Sequence, residues 1–211
     1  NGNLTGSYVS YLGSRGYQLG FATPPVTTRF YFPYSSSANA PVSPSISGAD
    51  WGHIATSRRK TLTSCDSSAL TEHTYSPDAA DDLVSANAHI VQFVSKALQP
   101  QTLAVQTLSA QFQVEELVAT NNLFLTLKSY VVSYDGATEK ETLVAVTRDA
   151  NEVTVSPTVT NRSFSATTSA ATLESGDRLV FELGLGGTPS ASGGVDGHNG
   201  GLLVGCNASS G

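Results

Sequence analysis

Residues 108–116, LSAQFQVEE, and residues 122–136, NLFLTLKSYVVSYDG, decide the fold. In the first, Leu108, Ala110, Phe112 and Val114 alternate with Ser109, Gln111, Gln113 and Glu115. In the second, Leu123, Leu125 and Leu127 face one way, while Thr126, Lys128 and Tyr130 face the other. Successive side chains of a strand point to opposite faces, so this period of two predicts strands with one buried and one wet face. Asp135-Gly136 then supplies a turn, and ETLVAVT (141–147) returns as a further strand.

The same signal recurs on both sides. TTRFYF (27–32) is β-branched and aromatic and stops at Pro33. A Ser/Ala/Pro loop leads to Asp50-Trp51, where the sole tryptophan anchors one end of the core. Arg59 to Ser64 reads as a short strand with Leu62 inward, and HIVQFVS (89–95) as another, followed by a turn at 98–100. SPDAADDLVSANA (76–88) has helix-start residues and is either one short helix or a structured loop. Past a polar loop at 148–161 come RSFSA (162–166) and TSAATL (168–173). Ser175-Gly176-Asp177 turns the chain into RLVFELGL (178–185), with Leu179, Phe181, Leu183 and Leu185 on one face. A Gly-rich loop (184–201) and GLLVGC (201–206) follow. Eight to ten short strands with almost no helix predict an all-β antiparallel sandwich of jelly-roll type. The predicted domain is 27–211, preceded by an extended arm at 1–26.

That arm has five glycines and four aromatics, Tyr8, Tyr11, Tyr17 and Phe21. Its glycines oppose a helix and its aromatics oppose a solvated tail, which fits a segment laid on a neighbouring subunit. The chain begins at Asn1 and has no Met, so the expectation is a proteolytic cut, a removed leader or further residues upstream.

Composition narrows the function classes. The 211 residues include 28 Ser and 23 Thr, only 13% are charged, and the net charge is −6. An acidic balance is the wrong sign for tracking phosphates, and no apolar run reaches the length of a membrane-crossing helix. No nucleic-acid or membrane partner is expected. Cys65 and Cys206 are either two buried small side chains or a disulfide between the C-terminal strand and the first third of the domain. Asn3, Asn161 and Asn207 head chance-level glycosylation sequons.

Signals for catalysis are absent. His53, His73, His89 and His198 are scattered, and His89 reads as structural. Asp196, His198 and Asn199 offer too few acidic oxygens for calcium. The glycines of 184–201 lack the Lys-Ser/Thr of a phosphate-binding loop, and no Gly-x-Ser-x-Gly elbow occurs. Glu115-Glu116 and Asp81-Asp82 read as solvated carboxylates, and Arg58-Arg59-Lys60 as a solvated, guarded strand edge. No enzyme activity, cofactor or metal is expected.

Three stretches together, TTRFYFPYSSSANAPVSPSISGADW (27–51), IVQFVSKALQPQTLAVQTLSAQFQVEE (90–116) and GDRLVFELG (176–184), resemble a family of uncharacterised proteins encoded in tailed-bacteriophage genomes. The resemblance spans about residues 27–184 and implies a virion structural protein, with no catalytic residues to carry over. The arm and the Gly-rich loop depart from the family pattern. The expectation is a capsid decoration protein on the outer surface of a virion. Its partners are further copies of itself, a trimer by analogy, and the major capsid protein or other virion proteins. Two alternatives remain: a carbohydrate-binding or host-adsorption module using Trp51, Tyr34, Tyr75 and the 184–201 loop, and a secreted filament subunit joined by strand exchange.

Overall fold

A computed structural model describes residues 30, 32, 39–54, 59–62, 71–75, 87–116, 122–153, 156–187 and 200–204. The arm residues Tyr8, Tyr11, Tyr17 and Phe21 lie outside that set. So do Cys65, Cys206, Tyr34, His198, the 76–86 segment and most of the Gly-rich loop.

The chain is an all-β sandwich. Its strands are β1 (Gly52–Ile54), β2 (Arg59–Thr61), β3 (Thr71–Tyr75), β4 (Asn87–Val94), β5 (Gln101–Leu103) and β6 (Thr107–Glu116). They continue with β7 (Leu123–Val132), β8 (Glu139–Arg148), β9 (Ser156–Thr167), β10 (Ala171–Leu173), β11 (Arg178–Gly187) and β12 (Gly200–Val204). Among the described residues there is one four-residue helix, α1 (Gly48–Trp51), capped by Ser47, whose hydroxyl accepts from the Asp50 amide.

Four strands of one sheet run β4-β11-β7-β8 and the other sheet runs β3-β12-β6-β9, each of these neighbours antiparallel. Taken in chain order, the eight strands of five or more residues fall in the orders 2-7-4-5 and 1-8-3-6. Chain neighbours therefore alternate between sheets except at the β7–β8 hairpin, and the last strand lies beside the first. The first sheet departs from the purely antiparallel expectation at its edge, where β1 and β2 both pair with β4 in parallel. β5 and β10 form a separate antiparallel pair.

Alternation places the core. Phe93, Val91, Leu125, Leu127, Val131, Phe181, Leu183 and Leu185 meet Phe112, Val114, Phe164 and Leu202 of the facing sheet. Phe30 and Phe32, two residues apart, enter the same core, and the Phe32 ring lies 4.7 Å from that of Phe93 and 5.3 Å from that of Phe112. The turn predicted at Asp135-Gly136 forms, with Gly136 at φ 76°, a conformation glycine adopts without strain. The turn at 175–177 also forms. Gly176 takes φ 92°, and the Asp177 carboxylate accepts from the Glu174 amide at 2.8 Å.

The expected wet face of this sheet is instead buried. Thr126, Lys128 and Tyr130 of β7 are at most 5% exposed, and Glu182 of β11 and Gln92 of β4 are wholly enclosed. The segment 39–51 lies over them, and Ala40 and Val42 pack on Val94, Tyr130, Val132 and Val180. Alternation reports polarity, and a polar face can still be covered when every polar group finds a partner.

Candidate functional site

The covered face carries a row of polar side chains set by strand register. Arg59 of β2 pairs with Gln92 of β4, Gln92 with Glu182 of β11, and Glu182 with Lys128 of β7. A register shift in β4 at Ile90 helps to build it. Leu183 pairs with Val91 but Gly184 with His89, so Ile90 is the extra residue. Strict alternation would put His89 with Val91 and Phe93 in the core. The bulge turns it to the side of Gln92.

The Glu182 carboxylate is the centre. It accepts from the Trp51 indole N–H at 2.5 Å, the Tyr130 hydroxyl at 2.8 Å and the Gln92 amide at 2.9 Å. The Gln92 carbonyl accepts from the Arg59 guanidinium at 3.1 Å, and its amide also reaches the Tyr130 oxygen at 3.1 Å. A buried carboxylate costs several kcal/mol unless its lone pairs are filled, and three donors fill them here. Burial, then the Glu182 charge and hydrogen bond, push the Tyr130 phenol far above its ordinary value, so it keeps its proton and donates.

Lys128 extends the row outward. Its ammonium donates to Asp50 of α1 at 2.9 Å and Glu139 of β8 at 2.8 Å, and sits 4.3 Å from the centre of the Tyr130 ring. Burial pulls this amine down, but the two carboxylates outweigh it and hold its pKa above the ordinary value.

Close approach to the sheet depends on two glycines. A Cβ on Gly184 would stand 2.6 Å from the Trp51 ring and 2.0 Å from the Ala88 carbonyl oxygen. One on Gly186 would stand 2.2 Å from the Arg148 guanidinium, which donates to Asn87 at 2.7 Å. Trp51 also meets His89 edge-on at 5.4 Å between ring centres.

Several sequence expectations change. Trp51 is wholly buried, so it is not the exposed platform a sugar-binding face needs, and it anchors the covered polar face, not the sandwich core. Glu116, expected to be solvated, is buried, and its carboxylate accepts from the Leu123 amide at 3.2 Å. A strand end whose backbone N–H needs a partner explains that burial. Arg59 is not a solvated edge charge either. Its guanidinium donates to the Pro44 carbonyl at 3.0 Å as well as to Gln92. Arg178, four residues before Glu182 on the same strand, turns to the carbonyls of Ser95 and Tyr134 at the sheet end. The Glu182 cluster itself was missed. A Glu two residues before a Gly in a central strand, with a Gln and a Lys in flanking strands, was its only signal, and it needed the register to be read.

The cluster is a clamp. Its acceptor and donors are closed to solvent, and the groups bind one another. Among the described residues no group of three or more His, Cys, Asp or Glu is placed to hold a metal, and no helix is long and apolar enough to cross a membrane.

No protein-family model matches the chain, and no curated protein matches it. Among solved structures it is similar to a CocE/NonD family hydrolase from Staphylococcus aureus, with TM-score 0.48 and 13% identity over 69% of this chain and 32% of that one. It is also similar to the infectious bursal disease virus VP2 subviral particle, with TM-score 0.24 and 18% identity over 68% of this chain and 34% of that one. The chain thus spans about a third of the length of either. Both scores fall below those of chains sharing a fold, so neither carries a function to this one.

Proposed function

We propose that this chain is a bacteriophage virion structural protein, a capsid decoration protein that binds the outer surface of the particle and reinforces it without chemistry. The nested strand orders 2-7-4-5 and 1-8-3-6 read as a jelly roll, which presents a stiff body. The observation that carries the reading is the complete burial of Trp51 on Glu182. The residue best suited to gripping a ligand serves instead to tie the chain's own N-terminal part onto the sandwich. With both faces of the first sheet packed, what such a body offers a partner is the outer face of the second sheet, where Ser109, Gln111, Ser163 and Ser165 are exposed, together with its rim, its loops and the arm at 1–26. The resemblance of 27–51, 90–116 and 176–184 to tailed-phage proteins supports the same assignment.

In this reading copies associate, a trimer by analogy with other decoration proteins, and the arm with Tyr8, Tyr11, Tyr17 and Phe21 lies on a neighbouring subunit, adding area and avidity. Proteomics and reconstruction of particles from the phage that carries the gene test it. The expected result is the chain at a fixed copy number per capsid, and its absence from purified particles overturns the assignment. Deleting residues 1–25 should weaken capsid binding and leave the sandwich folded. Unchanged occupancy after that deletion would remove the arm from the account.

A further inference from the structure

We propose that residues 39–51 form a strap that opens as a unit while the sandwich beneath it stays folded.

The path of the chain is the first ground. Phe30 and Phe32 lie in the core between the sheets. Asn39 bridges to Lys60 of β2 at the sheet edge, and Ala40 and Val42 lie on the opposite face. Phe30 and Phe32 thus lie on the core side of this sheet and residues 39–51 on its outer side. None of residues 39–51 belongs to the main core.

The second ground is what lies under the strap. Most of that face is Gln92, Glu182, Lys128 and Thr126, groups that water solvates well once uncovered. Lifting the strap exposes Val94, Val132, Val180 and part of Tyr130 together with the strap's own Trp51, Ala40 and Val42, and hydrates the rest. Lifting any strand of the main core would expose a continuous apolar surface instead. Local opening follows the least apolar contact, and that contact is here.

Few attachments hold the strap. Within 39–51 only Pro44 and Trp51 are buried. Thr61 donates to the Asn39 carbonyl at 2.6 Å, Arg59 to the Pro44 carbonyl at 3.0 Å, Trp51 to Glu182, and Lys128 to Asp50 at 2.9 Å. Asp50 is itself 39% exposed, so its ion pair is open to screening.

Thiol labelling tests the opening on the full chain, read peptide by peptide so that Cys65 and Cys206 are scored separately. Val180→Cys places a thiol under the strap, and Val131→Cys places one in the main core. The Val180→Cys thiol should label in native buffer with little dependence on urea, and the Val131→Cys thiol only with the steep dependence of global unfolding. Adding Trp51→Phe, which removes the indole N–H, should speed labelling at 180 about tenfold and leave 131 unchanged. Equal urea dependence at the two positions, or equal acceleration of both, overturns the proposal.

Discussion

Glu182 shows how a residue that looks like surface becomes the centre of a buried cluster. Its lone pairs are filled by Trp51, Tyr130 and Gln92, so its contribution is that of an acceptor for three buried donors. Glu182→Ala leaves the Trp51 and Tyr130 donors without their acceptor, while the Gln92 amide keeps the Tyr130 oxygen, and should cost about 3 kcal/mol in urea unfolding, whereas Glu182→Gln keeps one acceptor oxygen and should cost less. Equal losses in the two variants would mean that packing, not hydrogen bonding, sets the value of this site. Asp177 gives the pH counterpart. Burial raises its pKa, but the Lys140 ammonium at 2.8 Å and the Glu174 amide outweigh that and hold it below the ordinary carboxylate value of 3.8. A depressed folded pKa means that its stabilisation is complete above the unfolded value and is lost as pH falls through the folded one. Asp177→Asn should therefore be less stable than the parent at pH 7, with the gap narrowing toward pH 2. A gap independent of pH would show that the carboxylate charge is not what matters.

At the scale of elements, the alternation in β6 and β7 was legible because each strand turns its leucines, phenylalanines or valines to a single core. The turns at 135–136 and 175–177 were legible because glycine there takes positive φ. The face under the strap was not. Reading Thr126, Lys128 and Tyr130 as wet used their polarity correctly and missed only that a distant segment covers them. The Ile90 bulge was equally hidden, since Ile90-Val91 reads as one apolar run in any register. Deleting Ile90 removes the extra residue and leaves Val91 opposite Leu183 and His89 opposite Gly184, so both faces of β4 and its register with β11 are kept. The deletion variant should fold, at a cost of about 2–5 kcal/mol in urea unfolding for the lost buried Ile90 side chain. A chain that no longer folds would show that the bulge itself, and not only the side chain, is required.

At the scale of the molecule, strand order makes the two chain ends unequal. β12 is last in the chain yet central in its sheet, between β3 and β6, with Leu202 wholly buried. Truncation before Gly200 strips both neighbours of a partner and should leave an unfolded or insoluble chain, while removal of residues 1–25 should leave the circular dichroism unchanged. A soluble, β-rich product of the C-terminal truncation would refute the central role of β12. By itself the sequence determined the class of fold, most strands, the tight turns and the composition of the core, because backbone periodicity and glycine conformation act over a few residues. Only the tertiary structure decided that Trp51, Gln92, Tyr130 and Glu182, up to 131 positions apart, meet as one clamp. Their meeting depends on strand order, a one-residue bulge and the segment laid across the sheet, and none of these leaves a local periodicity to read.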